Sequence, residues 1–257
     1  EVQHFSSLSW RRVSPNVRLM KLVWIHFKYQ INIKTLVFLG FFGLLLVFDL
    51  LYNAGIFASR EERIIYYNQY FTQYHNDSSF NIYIILLIMA SFLPYLGENN
   101  YDQIYLSFCK RSYFESTRLI ANSLFLFMIC LFVFSFYNFI PSLVLVYYRF
   151  ELRILRLFLD FFLQSVLVML ISSILKNALN NAFGGILTFI FFYLEKIIFD
   201  DFDKDKVSFM IKIFSYFCPI MIYNEGSYFF LYSEIMAVMA IIIYGLIDIF
   251  IYNKRNL

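Results

Sequence analysis

Long apolar stretches alternate with short polar segments along the chain, and this alternation predicts a polytopic membrane protein. The hydrocarbon core of a bilayer is about 30 Å thick and is crossed by roughly 20 apolar residues in a helix. Stretches of about this length occur at Thr35–Phe57, Phe80–Leu96, Leu119–Ile140, Leu157–Leu175, Phe183–Phe199 and Ile235–Tyr252. We therefore expect an all-α polytopic fold whose six transmembrane helices form one membrane domain, residues 17–257.

Two further segments are apolar but interrupted by polar residues. In Val17–Ile33, basic residues are interspersed with Trp24 and Phe27, a composition typical of helices that lie on the membrane surface. This segment is predicted to be an interfacial elbow helix before the first span, or alternatively a cytosolic extension of that span. Ser208–Tyr232 is broken by proline and glycine and is predicted to form short outer-leaflet helices before the last span. Residues 1–16 are expected to be a polar tail or a non-native remnant.

The distribution of Lys and Arg predicts the orientation of the spans, because cytoplasmic loops carry an excess of basic residues. With the N-terminus inside, most of the 21 Lys and Arg residues fall in segments that become cytoplasmic, including Lys254 and Arg255 after the last span. The acidic run Asp200–Lys206 then lies outside the cell. This orientation places both termini in the cytoplasm.

The composition supports a membrane protein and narrows the classes of function. Hydrophobic residues make up 61% of the chain and charged residues 15%, whereas soluble domains average about 25% charged residues. A formal charge of +3 without a dense basic patch argues against nucleic acid as a partner. The sequence contains no Walker A, HExxH, GxSxG or CxxC motif, so no catalytic or metal site is expected. The abundance of Phe, Tyr, Ile, Asn and Lys is typical of AT-rich bacterial genomes.

Four acidic residues lie within or at the ends of predicted spans, where ionisable groups are costly and usually face a bundle interior or a cavity. Asp49 and Asn53 are one helical turn apart, as are Asp160 and Gln164, so each pair lies on one helix face. These two pairs are candidates for the polar lining of a translocation path, or for hydrogen bonds between helices. Alternatively, they sit near the interface and reach lipid headgroups. That alternative is preferred for the two acids near span ends, Glu234 and Asp248.

The predicted cytoplasmic loop Gly97–Arg118 carries the pattern that points to a family. It has an acid directly after the second span, a partly apolar stretch, and a basic pair before the chain re-enters the membrane. This order resembles the ABC-2 type transporter permeases, although Asn99 stands where the family usually has glycine after the acid. The resemblance implies an amphipathic helix that couples the permease to an ATPase, formed by Glu98, Tyr101, Ile104, Tyr105, Phe108, Lys110 and Arg111. The alternative is a solvated connector anchored by its basic pair.

The resemblance further implies a non-catalytic subunit that depends on a separate motor. Two cytosolic ABC ATPase subunits would bind ATP and Mg²⁺, and the permease would pair with a second copy or a related permease in the bacterial plasma membrane. The expected activity is export of an amphipathic or apolar cargo, such as a peptide, antimicrobial, drug or lipid-linked molecule. Two other classes remain open. One is a non-transporting immunity or sensor protein with the same spans, and the other is an intramembrane protease, for which Glu61–Arg63 has the wrong spacing.

Overall fold

The computed structural model of the chain describes residues 15–32, 35–37, 39–45, 78–96, 109–144, 152–179, 181, 183–201 and 229–254. We number the six longest described helices in chain order as α1 Pro15–Gln30, α2 Ser78–Leu96, α3 Arg111–Val144, α4 Leu152–Leu179, α5 Phe183–Asp201 and α6 Phe229–Lys254. A shorter apolar helix occupies Thr35–Leu45. The described residues are helical apart from short connections, which confirms the predicted all-α class.

Three of the described helical segments are long and apolar enough to cross a membrane, namely Arg111–Ser135, Phe158–Leu179 and Ile235–Lys254. They coincide with the predicted third, fourth and sixth spans, and they mark the chain as a membrane protein. Shorter apolar helices that fall within the predicted first, second and fifth spans are Thr35–Leu45, Ile84–Leu96 and Phe183–Leu194. The rest of the predicted first span and residues 208–228 of the predicted outer-leaflet segment lie outside the described residues, and residues 229–232 of that segment belong to α6.

Helix α4 lies at the centre of the bundle and packs against α2, α3, α5 and α6. Residues 164–170 are all buried, although such a run turns through nearly two full helical turns. A helix that is enclosed on every side is typical of a bundle core. Aromatic rings fill its interface with α3, where the ring centroid of Phe134 lies 5.4 Å from that of Phe158 and 5.6 Å from that of Phe161.

Helix α3 runs opposite to α2, α4 and α6, as alternating membrane crossings require. Arg118, near the start of α3, contacts Asn177, near the end of α4. Asn177 in turn contacts Asp248, near the end of α6. Tyr95, near the end of α2, donates a hydrogen bond to the Ser172 carbonyl at 3.3 Å. The start of α3 and the ends of α2, α4 and α6 therefore meet at one end of the bundle, which we call the polar end.

The outer helices show why the chain needs lipid around it. In α6 the small residues Ala237 and Ala240 are buried against α4, whereas Ile242, Leu246 and Phe250 are exposed. Contact with lipid removes the apolar side chains of this outward face from water, which is energetically favourable. The described part of α6 is thus a peripheral helix that packs along one stripe only.

Helix α1 packs along α3 at the polar end. Leu22, His26 and Gln30 recur at four-residue spacing and are buried, while Trp24 on the opposite face is 64% exposed. The Phe27 ring meets Phe125 of α3 edge to face, with the centroids 5.8 Å apart. Helix α1 is therefore amphipathic, as predicted, and its buried face packs against the bundle.

Candidate functional site

Helix α3 begins earlier than predicted, and its first turns carry the most unusual residues of the described chain. The sequence assigned Gly97–Arg118 to a cytoplasmic loop, but helix α3 already begins at Arg111, with the Phe114 amide donating to the Lys110 carbonyl at 3.0 Å. The prediction of a loop is therefore wrong for residues 111–118, while the side of the membrane stays a prediction. Glu115 is 0% exposed and Arg118 is 8% exposed, so both charges are inside the bundle.

Glu115 and Arg118 form an ion pair one helical turn apart. The Arg118 Nη2 atom donates to Glu115 Oε1 at 2.6 Å, which is short for a charge-assisted hydrogen bond. A pair at this spacing on an exposed helix would contribute little. In the interior, water screens the two charges far less, and each would be very costly without the other.

Helix α4 contributes an amide that joins this ion pair to α6. Asn177 Oδ1 accepts a long hydrogen bond from Arg118 Nη2 at 3.5 Å, and its Nδ2 lies 3.4 Å from Glu115 Oε1. The same Nδ2 donates to Asp248 Oδ1 at 2.8 Å, and Ser173 donates to Asp248 Oδ2 at 2.9 Å. We call Glu115, Arg118, Asn177 and Asp248 the charge cluster. It links three helices through side chains that are all buried.

The position of Asp248 differs from its prediction. The sequence favoured an acid that reaches lipid headgroups from the end of its span, but Asp248 is 0% exposed and both of its oxygens accept hydrogen bonds from α4. The reason is the length of the helices. Both α4 and α6 continue past their predicted ends, so that Asp248 lies one turn or more inside the packed bundle.

Aromatic rings and a histidine close the charge cluster on its α1 side. The Arg118 guanidinium lies 5.3 Å from the centroid of the Tyr252 ring, and that ring stacks on Phe114. His26 meets Phe114 edge to face at 4.7 Å. Burial, and secondarily the charge of Arg118, lower the pKa of His26 to about 4. His26 is therefore neutral at pH 7.

Three buried polar atoms around the cluster have no hydrogen-bond partner among the residues that the structure describes. They are Oε2 of Glu115, Nε of Arg118 and Nε2 of His26. The three side chains are each more than nine-tenths buried. Buried groups of this kind are normally satisfied by protein or by ordered water. The charge cluster thus offers donors and acceptors to a small polar ligand.

A second buried basic residue, Lys176, lies next to Asn177 on α4. Lys176 donates from its ammonium group to the Pro94 carbonyl of α2, and the ammonium lies 5.5 Å from the centroid of the Tyr95 ring. The sequence placed residues 176–182 in a short cytoplasmic turn, and the turn is wrong for residues 176–179, since α4 continues to Leu179.

The site residues predicted from sequence are only partly described. Asp160 and Gln164 lie on α4, buried on one face as predicted, and Gln164 lines a small cavity with room for about one water. Gln164 and Asn177 are thirteen positions apart on α4, or roughly 20 Å along the helix, so the charge cluster is a separate feature. Lys110 is exposed and Arg111 is half-buried. The predicted residues that lie outside the described parts are Asp49, Asn53, Glu98, Tyr101, Ile104, Tyr105 and Phe108.

Sequence reasoning missed Glu115, Arg118 and Asn177 because charged residues next to a span were assigned to the membrane surface. A signal was nevertheless present. Glu115, Arg118 and Asn122 follow the three- and four-residue spacing of a single helix face. That face continues the third span backwards by two turns.

Comparison of the chain with protein-family models, with curated proteins and with solved structures finds no match.

Proposed function

We propose that this chain is the membrane-spanning permease subunit of an ATP-driven exporter of the ABC-2 type, located in a bacterial plasma membrane. In this proposal six helices cross the membrane, both termini are cytoplasmic, and α1 is the interfacial elbow. Two separate ABC ATPase subunits bind ATP and Mg²⁺, and a second permease completes the path. The cargo is an amphipathic or apolar molecule.

The observation that carries the proposal is the position of the charge cluster. It begins four residues after Arg111, the last residue of the predicted coupling segment 98–111, and it ties the first turns of α3 to α4 and α6. A force applied to a loop reaches a bundle only if the helix after the loop is held rigidly. The buried contacts of Glu115 and Arg118 provide that rigid attachment.

The central position of α4 supports the next step, in which motion spreads through the bundle. Helix α4 packs against four other helices, and its Asn177 and Ser173 hold α6 through Asp248. Closely packed helices move as rigid elements and do not deform continuously. Displacement of α3 at the polar end would therefore carry α4 and α6 with it and change the outer surface that α6 presents to a second permease.

The test is whether ATP hydrolysis accompanies the chain and depends on the coupling segment. The tagged chain is purified from its own cells in mild detergent, and vanadate-sensitive ATP hydrolysis is measured in the purified material. We expect hydrolysis with the wild type, and a loss of at least tenfold when Phe108→Ala is combined with Lys110→Glu. The matched control is Lys254→Glu, which changes an exposed basic residue outside the predicted loop and should retain wild-type hydrolysis.

Absence of hydrolysis in the wild type, with the cellular phenotype of the chain intact, would favour an immunity or sensor protein that works without a motor. Equal hydrolysis in all three proteins would remove the role of segment 98–111 and leave the permease assignment without its coupling element.

A further inference from the structure

Two carboxyl groups of the charge cluster meet at a single amide. Asn177 Nδ2 lies 2.8 Å from Asp248 Oδ1 and 3.4 Å from Glu115 Oε1. Because both oxygens contact the same nitrogen, they are no more than about 6 Å apart, a separation at which like charges disfavour each other strongly. Both side chains are 0% exposed, so water screens this repulsion poorly.

The cation within the cluster compensates only one of the two carboxylates. Arg118 is committed to Glu115, which it contacts at 2.6 Å. The two hydrogen bonds that Asp248 accepts come from neutral donors, the hydroxyl of Ser173 and the amide of Asn177. With both acids ionised, the cluster would carry one uncompensated negative charge in the bundle interior, which is very costly.

Within the described ranges, the other titratable groups that face the cluster do not supply the missing charge. On α1, His26 is neutral at pH 7, because burial lowers its pKa to about 4. On α6, the Tyr252 ring covers the Arg118 guanidinium and carries no positive charge. On α4, the Lys176 ammonium is directed towards α2, where it contacts the Pro94 carbonyl and the Tyr95 ring.

We propose that Glu115 and Asp248 together hold one exchangeable proton, which makes the charge cluster a proton-binding site. In the packed state the proton resides on Asp248 Oδ2, where the hydroxyl of Ser173 turns to accept it, since a serine hydroxyl both donates and accepts. Glu115 stays ionised against Arg118. Binding of the proton converts one carboxylate to a carboxylic acid and brings the formal charge of the cluster to zero.

Unpartnered polar atoms lie beside the carboxylates. Oε2 of Glu115 and Nε of Arg118 are buried without a hydrogen-bond partner among the described residues, and such atoms are normally satisfied by ordered water. A water at that position is both donor and acceptor and can carry a proton to or from the acids.

Infrared spectroscopy of the purified full-length chain in lipid nanodiscs tests the proposal. The observable is the carbonyl stretch of a protonated carboxylic acid at pH 7, which ionised carboxylates lack. We expect one such band in the wild type that is lost in Asp248→Asn. It should also be lost in Glu115→Gln, because Arg118 is then free to stabilise Asp248 as an anion. The variant Ser173→Ala keeps both acids and should retain the band at a shifted frequency.

The loss in Glu115→Gln separates a shared proton from an aspartic acid that is protonated by burial alone. A band that persists in Glu115→Gln, or one that is unaffected by Asp248→Asn, would overturn the proposal. So would a wild-type band that disappears when choline chloride is replaced by sodium chloride, since a metal cation would then be the occupant. Size-exclusion chromatography establishes that each variant is folded. If Asp248→Asn or Glu115→Gln does not fold, the bands of the wild type and of Ser173→Ala are compared instead, and absence of the band from both would overturn the proposal. None of these outcomes depends on an ATPase.

Discussion

Replacing Arg118 by methionine isolates the energetic importance of the charge cluster. Methionine retains much of the volume and flexibility of the arginine side chain but removes the guanidinium. Glu115 then keeps its negative charge with no cation in contact, while Asn177 loses its long hydrogen bond from Nη2. The change therefore leaves an uncompensated charge inside the bundle, and it also removes the guanidinium from the face of the Tyr252 ring.

The expected cost follows from the burial of the pair. Glu115 is 0% exposed and Arg118 is 8% exposed. Removing one partner of a buried ion pair destabilises a protein by about 3–5 kcal/mol, whereas breaking an exposed pair costs at most about 1 kcal/mol. We therefore expect Arg118→Met to lower the free energy of unfolding by about 3–5 kcal/mol. Adding Glu115→Gln should restore about 2 kcal/mol or more, since the unpaired charge is then gone.

Equilibrium unfolding in mixed micelles, followed by the circular dichroism of the helices, measures these differences. The single variants, the double variant and the wild type form a double-mutant cycle, which reports the coupling between Glu115 and Arg118 directly. Lys254→Met removes an exposed cation and serves as the control, with an expected change within about 0.5 kcal/mol. An Arg118→Met variant as stable as this control, or a double variant less stable than the single one, would refute the buried pair.

Further predictions concern packing, pH and orientation. An added Cβ at Gly184 would lie 2.6 Å from the Tyr95 hydroxyl oxygen and 2.9 Å from Leu175 Cβ, so Gly184→Ala should destabilise by about 1–3 kcal/mol in the same unfolding assay. Gly245→Ala, with nothing within 4 Å of the added atom, should be neutral or slightly stabilising. Because the pKa of His26 is about 4 when folded and 6.5 when unfolded, its contribution to stability is complete above pH 6.5 and is lost as the pH falls towards 4. Unfolding measured across this range should show a smaller slope for His26→Leu, and equal slopes would contradict the buried neutral imidazole. With Cys218 replaced by serine, a membrane-impermeant maleimide should label Cys109 in inside-out vesicles but not in intact cells, and labelling of intact cells would reverse the predicted orientation.

The helical class and the approximate positions of the spans could be predicted because they depend on local sequence. Twenty apolar residues in a row indicate a crossing whatever surrounds them. The third, fourth and sixth predicted spans coincide with described helices long enough to cross, and the amphipathic pattern of α1 matches its buried face. These features follow from hydrophobic periodicity alone.

The charge cluster could not be predicted in the same way, because it depends on which helices are neighbours. Glu115, Asn177 and Asp248 lie far apart in sequence, and each alone resembles a polar residue at a membrane surface. Only the antiparallel packing of α3 with α4 and α6 brings them together. A prediction from hydropathy stops each span at the first charged residue. It therefore makes a helix too short when the helix continues and its charged residues are paired inside the bundle.

The central claim is that segment 98–111 receives force from a separate ATPase, and site-specific photocross-linking in living cells tests it most directly. A photoreactive benzoyl-phenylalanine replaces Phe108 in one strain and, as the control, replaces Ile242, which is exposed on the outward face of α6, in another. We predict that irradiation joins position 108, but not position 242, to a protein that mass spectrometry identifies by its Walker motifs as an ATPase. Cross-links from position 108 that contain no nucleotide-binding protein, in cells where the chain is functional, would contradict the account.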